Sequence, residues 1–225
     1  MKREIKTTAD GSHTLFVPEL NEHYHSTHGA WQEAIHVYIN AGLHHCPKSE
    51  IHVLEIGFGT GLNAFLTLLE STKKKIVYTT LELHPISIEE AQKLNYASQI
   101  SPENEQLFIH LHQVDWEKRI DITPHFSFLK LKRDITNHTS LDFSTHFDVV
   151  YFDAFAPEKQ PEMWTQKVFE NILSVCNPGA TLVTYCAKGI VRRTMQEAGW
   201  EVEKLMGPPG KREMLRTKKP TILHL

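Results

Sequence analysis

The sequence predicts a doubly wound α/β fold with a mostly parallel, seven-stranded sheet, a small N-terminal extension and an inserted hairpin. Three observations predict it. An apolar run at 51–56 leads straight into Gly57-x-Gly59-x-Gly61 and then into helical spacing from 62 to 69. Further apolar runs at 75–83, 147–152 and 181–186 alternate with helical patterns. Strands that alternate with helices can bury both faces only as a parallel sheet with helices on either side. Third, the run at 147–152 ends on an acid, Asp153, before a stretch with prolines and bulky apolar groups.

Taken in order, residues 4–17 read as two short strands around Asp10-Gly11, a hairpin signal. Ala30, Ala34, Val37 and Ala41 have helical spacing. The strand at 51–56, the glycine turn and the helix at 62–69 follow. A second strand covers 75–83, and a helix lies within 86–97. Between 107 and 132 the short alternating pieces read as a third strand with the inserted hairpin. The fourth strand is 147–152, a helix covers 164–176, and Asn177-Pro178-Gly179 reads as a turn before the fifth strand at 181–186. A helix at 190–198 stops at Gly199. Two strands, around 201–205 and 213–225, flank the loop Gly207-Pro208-Pro209-Gly210-Lys211. The organisation expected is one compact unit, with a hairpin and cover helix at 1–45 and the main domain at 46–225.

Composition narrows the function classes. The chain has 225 residues, 40% hydrophobic and 23% charged, the profile of a soluble globular protein. No apolar stretch approaches the ~20 residues that span a bilayer, and the first residues carry no signal-peptide core. Three widely spaced cysteines without a CxxC point to a reducing, cytoplasmic setting. The net charge is −3, but nine Lys/Arg against four Asp/Glu between 188 and 219 give +5 there and leave −8 elsewhere. Such an asymmetry suits either a phosphate-binding face on an acidic body or an ordinary solvated surface.

A strand–glycine turn–helix unit serves NAD, FAD, a nucleotide or S-adenosylmethionine. Leu62 stands where a dinucleotide fingerprint has its third glycine, and no GK[ST] of a P-loop follows. Glu55 followed by Gly57, Gly59 and Gly61 suits a ligand without a pyrophosphate, S-adenosylmethionine first among them. Glu82, at the end of the second strand, is placed to accept ribose hydroxyls, and Asp134 to receive an adenine amino group. Asp153 sits where N-methyltransferases place a polar residue. Pro157 stiffens the segment after it, and Phe155 and Trp164 offer flat surfaces for a base. His23, His25 and His28 form HxHxxH, but no carboxylate or cysteine completes a metal site.

The stretches NEHYHSTHGAWQE, EIGFGTGLN, LELHP, FDAFAPEKQPEMW, VRRTMQEAGW and GKREML strongly resemble the methyltransferase domain of the bacterial tRNA 5-methylaminomethyl-2-thiouridine biosynthesis proteins, the MnmC family, and its stand-alone MnmD relatives. The resemblance runs from about residue 21 to 215. It implies a Rossmann-like class I methyltransferase that uses S-adenosyl-L-methionine to methylate the 5-aminomethyl group of wobble uridine, usually 2-thiolated, in a tRNA anticodon stem-loop. It implies cofactor contacts at Glu55, Gly57, Gly59, Gly61, Asn63, Glu82 and Asp134, with Tyr24, Ser26, Gly29 and Glu33 in a cover over the cofactor. It puts Asp153 beside the acceptor amine. Phe155, Pro157 and Trp164 are the candidates around the base, and the basic excess near the C-terminus makes Arg192, Arg193, Lys211 and Arg212 candidates to face tRNA phosphates. The flavin domain of the two-domain members has no counterpart in this sequence, so methylation alone is expected of it. The competing readings are a polyamine aminopropyltransferase-like enzyme and a non-catalytic tRNA-binding module.

Overall fold

The computed structural model describes residues 2–101, 103–137, 143 and 145–221. The Asp10-Gly11 turn does close a hairpin, β1 (Glu4–Thr7) with β2 (His13–Val17), and β3 (Glu22–His23) adds a third antiparallel strand. Asp10 also reaches beyond its own turn. One carboxylate oxygen accepts from Thr8 Oγ1 and Ser12 N, and the other accepts from Gln32 N in the first turn of α1 (Ala30–Ala34). A free helix N-terminus is thereby satisfied from outside the helix. The helical spacing of the sequence continues past α1, but the ladder widens into a π-helical segment, Ile35–Asn40. Such segments often re-aim a side chain at a functional site, and here the side chain is Tyr38.

Among the described residues the main sheet has eight strands, in the order β10-β11-β9-β8-β4-β5-β7-β6. Strands β4 (Glu50–Ile56), β5 (Lys75–Leu81), β7 (Phe126–Leu131), β8 (Phe147–Phe152) and β9 (Cys176–Thr184) are parallel to their neighbours among one another. The strand beyond the seven expected is β6 (Ile120–Thr123), which pairs antiparallel with β7 and forms the inserted hairpin at the sheet edge. At the other edge β11 (Glu213–Lys218) runs antiparallel between β9 and β10 (Glu201–Met206). The expected extension of the last strand to 225 falls partly outside the described residues.

Two sequence expectations are corrected. The piece from Leu107 is helical, within α4 (Asn104–Gln113), which buries Phe108 and Leu111. Its polar neighbours dilute the helical period, so a short apolar run reads equally well as a strand. Residues 177–179 are no turn between elements. They belong to β9, where Gly179 takes φ 77° and the register with β8 shifts, as at a bulge.

Helix α2 (Leu62–Glu70) packs with α1 and α4 over one sheet face, where Val53, Tyr78 and Tyr151 are buried. Helices α5 (Gln166–Ser174) and α6 (Gly189–Glu197) cover the other face, over Leu54, Phe152 and Leu182. The remaining helix, α3 (Ile88–Ala91), is a single turn closed by a Ser87–Glu90 capping box. The strand order reverses at β4, so the carboxyl ends of β4, β5 and β8 meet at one crevice, the place where open α/β sheets bind ligands.

Candidate active site

The loop after β4 forms the floor of that crevice. Gly57, Gly59 and Gly61 have φ of 95°, 52° and 77°, a region other residues enter only with strain. At Gly57 space is limiting as well, since a Cβ would fall 2.7 Å from the Asp153 carbonyl oxygen. Glu82, just beyond β5, reaches across to the loop: one oxygen accepts from Gly59 N at 3.0 Å and the other from His84 N at 2.7 Å. A cavity of about 480 Å³ opens above this floor, within the range of small-molecule and cofactor sites.

Asp153 enters the cavity from the end of β8. Tyr38 Oη donates to its Oδ1 at 2.6 Å and Asn63 Nδ2 to its Oδ2 at 2.8 Å. Tyr38 comes from the π-helical segment and Asn63 from the first turn of α2. Burial pushes the Asp153 carboxyl up to about 6. The Tyr38 and Asn63 donors and the Lys211 ammonium pull it down, and the Glu33 carboxylate pushes it further up. Such a carboxyl is a stronger base than an exposed aspartate yet stays ionised at neutral pH.

The N-terminal segment roofs the cavity. The Tyr24 ring stands edge-on to Phe155, with centroids 5.1 Å apart, and its hydroxyl accepts from Arg3 Nε at 3.0 Å. Ser26 N donates to Glu33 Oε1 at 3.1 Å, and the other Glu33 oxygen is ion-paired with Lys211. The Lys211 ammonium lies 3.9 Å from the centre of the Tyr185 ring, a cation–π contact. His25 is buried, its Nε2 2.7 Å from Thr60 Oγ1, and burial holds the imidazole down to about 4 and therefore neutral.

Of the residues predicted from sequence, Tyr24, Ser26, Glu33, Gly57, Gly59, Asn63, Glu82, Asp134, Asp153, Phe155 and Lys211 line this one cavity. The others lie elsewhere. Gly29 faces Asp10, whose carboxylate would lie 2.5 Å from a Cβ there, and it starts α1. Gly61 faces His112 beneath the loop. Glu55 is fully buried behind the glycine turn and does not line the cavity. Asp134 reaches the rim, but its carboxylate accepts from Thr136 and Asn137 in its own turn. Trp164 is no open platform for a base. It is buried against Phe152 at 4.9 Å, and its indole N–H donates to the Phe155 carbonyl, so it supports Phe155 from below. Pro157, Arg192, Arg193 and Arg212 lie outside the cavity. Lys211, expected among the phosphate-facing cations, instead points inward.

Tyr38, His25, Thr60, Tyr185 and Gln160 are absent from the sequence-derived set although each lines the cavity or bonds a group in it. Tyr38 is the most consequential, and nothing local marked it: it stands beside Val37, outside the stripe read from the sequence. His25 carried a signal in HxHxxH, but for a buried hydrogen bond. Among the described residues no three metal-ligating side chains converge.

The site fits S-adenosyl-L-methionine. The glycine floor leaves no room for a side chain at Gly57, an acid ends the second strand beside the loop, and the cavity has the volume of a small-molecule site. The curated relatives include the tRNA 5-methylaminomethyl-2-thiouridine biosynthesis bifunctional proteins MnmC of Pseudoalteromonas atlantica, 31% identical over 94% of this chain and 33% of that protein, and of Nitrosospira multiformis, 30% identical over 77% of this chain and 29% of that protein. The chain thus spans about a third of the length of these relatives. Among solved structures, MnmC2 from Aquifex aeolicus superposes with a TM-score of 0.78 at 23% identity, covering 99% of this chain and 72% of that one, which shows a shared fold. The sequence pattern of one family matches residues 95–220, more than half of the chain, and by that match the chain belongs to the S-adenosyl-L-methionine-dependent methyltransferases.

Proposed function

We propose that this protein transfers the methyl group of S-adenosyl-L-methionine to the 5-aminomethyl nitrogen of a wobble 5-aminomethyl-2-thiouridine in a tRNA anticodon stem-loop, giving 5-methylaminomethyl-2-thiouridine. The observation that carries this reading is Asp153: a half-buried carboxylate held by two donors in a cavity that also contains the glycine floor and the Tyr24–Phe155 pair. The name of the MnmC relatives supports the same acceptor.

Bound S-adenosyl-L-methionine supplies a methyl group on a positively charged sulfur, open to attack by a neutral amine. Gly57, Gly59 and Glu82 would hold it on the floor, with Asn63 and Asp134 at its border and Tyr24, Ser26 and Glu33 above it. An alkylamine with a pKa near ~10.4 must lose a proton before it can attack, which at pH 7 costs up to ~4.6 kcal/mol. The apolar rings of Tyr24 and Phe155 lower that cost by desolvating the ammonium. Asp153 accepts a hydrogen bond from the amine, turns its lone pair toward the methyl group and draws off the proton. With its carboxyl at about 6, it takes that proton more readily than an exposed aspartate does. Alignment of nitrogen, carbon and sulfur within the closed cavity contributes alongside this proton handling.

The test is mass spectrometry of nucleosides after incubation of the protein with S-adenosyl-L-methionine and tRNA carrying 5-aminomethyl-2-thiouridine. The expected product is heavier by one methyl group. Asp153→Asn is expected to lower turnover by ~10²-fold or more while donor affinity changes far less. A product that carries an aminopropyl group, formed only with the decarboxylated donor, would favour an aminopropyltransferase, and donor binding without any transfer to tRNA would favour a different acceptor.

A further inference from the structure

Glu55 has no place in the cavity, yet it is the most enclosed acid of the site. It lies one strand-residue below the glycine turn, is fully buried, and neither carboxylate oxygen has a hydrogen-bond partner among the described residues. Three more polar atoms nearby share that condition: Tyr78 Oη, Thr80 Oγ1 and Asn63 Oδ1. The pairing of the strands explains why they meet. Glu55 is level with Thr80 on β5 and with Tyr151 on β8, and Tyr78 is two residues earlier on β5. Partner residues in parallel strands point to the same face, here the face covered by α2, which brings Asn63. Thr80, Tyr78 and Asn63 are the polar side chains that act on the Glu55 carboxyl; the charged or titratable groups that face it are Asp153, Tyr78 and Tyr151.

One proton on Glu55 resolves the conflict at Asn63. The Asn63 amide N–H is committed to Asp153 at 2.8 Å, which leaves its carbonyl oxygen in need of a donor. An ionised Glu55 is an acceptor only and would set oxygen against oxygen. A protonated Glu55 has one O–H to give to Asn63 Oδ1, which removes that conflict, and it keeps a carbonyl oxygen facing the Tyr78 and Thr80 hydroxyls. We propose that Glu55 is a protonated positioning residue, whose carboxyl O–H donates to Asn63 Oδ1 and thereby locks the amide with its N–H toward Asp153. Burial, the largest influence on the Glu55 carboxyl, favours its neutral form and outweighs Thr80, Tyr78 and Asn63, which favour the charged one. The effect on catalysis rests on the role given to Asp153 above; the proton on Glu55 and the orientation of Asn63 do not.

Glu55→Gln and Glu55→Leu separate the possibilities. Glutamine reproduces the donor and acceptor pattern of the protonated acid, so E55Q should bind S-adenosyl-L-methionine within about twofold of wild type and keep the acid limb of the pH–rate profile in place. Leucine removes the donor, and E55L should move that limb to higher pH by about one unit, because the Asp153 carboxylate loses a fixed hydrogen bond. An infrared difference spectrum between wild type and E55Q at neutral pH should show the carbonyl stretch of a protonated carboxylic acid in the wild type alone. This band and the calorimetric donor affinity are readable even if the tRNA acceptor is wrong or E55L does not fold. A carboxylate band instead of the acid band overturns the proposal, as does a tenfold or greater loss of donor affinity in E55Q, which would make Glu55 a charged cofactor contact. A limb that stays put in folded E55L overturns the positioning role.

Discussion

Replacing Lys211 by methionine keeps an apolar stem against Tyr185 and removes the ammonium that pairs with Glu33. Glu33 is 6% exposed, and without Lys211 its carboxylate keeps, among the described residues, the Ser26 N–H at 3.1 Å. Breaking a buried ion pair costs about 3–5 kcal/mol. The Lys211 side chain is 29% exposed, so water reaches the pair, and screening lowers the expected cost to roughly 2 kcal/mol. For a chain of this size that lowers the melting temperature by about 4–8 °C. Glu33→Gln together with Lys211→Met removes both charges, and the double variant should recover at least about 1 kcal/mol relative to the sum of the single changes. Urea unfolding of the four proteins gives the cycle. The same pair acts on Asp153, which Lys211 pulls down and Glu33 pushes up. The acid limb of the pH–rate profile therefore moves to higher pH in K211M and to lower pH in E33Q. A K211M protein within about 0.5 kcal/mol of wild type, with additive double-variant energies, would refute a clasp between roof and C-terminal hairpin.

Gly59→Val should abolish binding of S-adenosyl-L-methionine, since φ of 52° strains a β-branched residue and its Cβ would lie 3.2 Å from the Tyr24 ring; titration calorimetry that finds normal affinity in a folded variant would remove the loop from the cofactor site. Arg193 and Arg212 are exposed and form no ion pair among the described residues, whereas Lys188, Lys204, Lys211 and Arg216 do. An Arg193→Ala/Arg212→Ala protein should therefore bind tRNA more weakly, with a log–log salt slope flatter by about 1.4, at roughly 0.7 per lost contact with a single-stranded loop, while K211M leaves the slope unchanged; the reverse pattern in a salt series would return Lys211 to the phosphate face. His25 titrates near 4 in the folded protein against 6.5 as its ordinary value, so the unfolded chain takes up its proton first and His25 costs stability as pH falls from about 6.5 to 4. His25→Gln removes that loss, and its stability relative to wild type should improve by up to about 1.4 kcal/mol per pH unit across that window; a pH-independent difference would mean that His25 is charged in the fold.

Sequence by itself determined the sheet and its site edge. The apolar runs at 51–56, 75–83 and 147–152 stand out as strands because most of their residues are buried, the second ending as a strand at Leu81, and the Gly57–Glu82–Asp153 triangle follows from the rule that such sheets bind ligands at their carboxyl ends. What marks these residues is local: strand, turn and acid are contiguous in the chain. Tertiary structure alone decided which groups face the cavity. Tyr38 and Asp153 are 115 residues apart, Lys211 and Glu33 178 apart, and neither pairing leaves a periodic trace in the chain. Trp164 and Phe155 are both aromatic residues on one irregular segment, yet one is a buried support and the other a wall, because only the packing of α5 and the end of β8 fixes which ring turns inward. Glu55 shows the limit most plainly. Its place two residues before the first glycine marks it as part of the turn, but whether its carboxyl meets a ligand or a buried amide depends on which neighbours α2 and β5 bring to it, and those arrive only when the sheet is assembled.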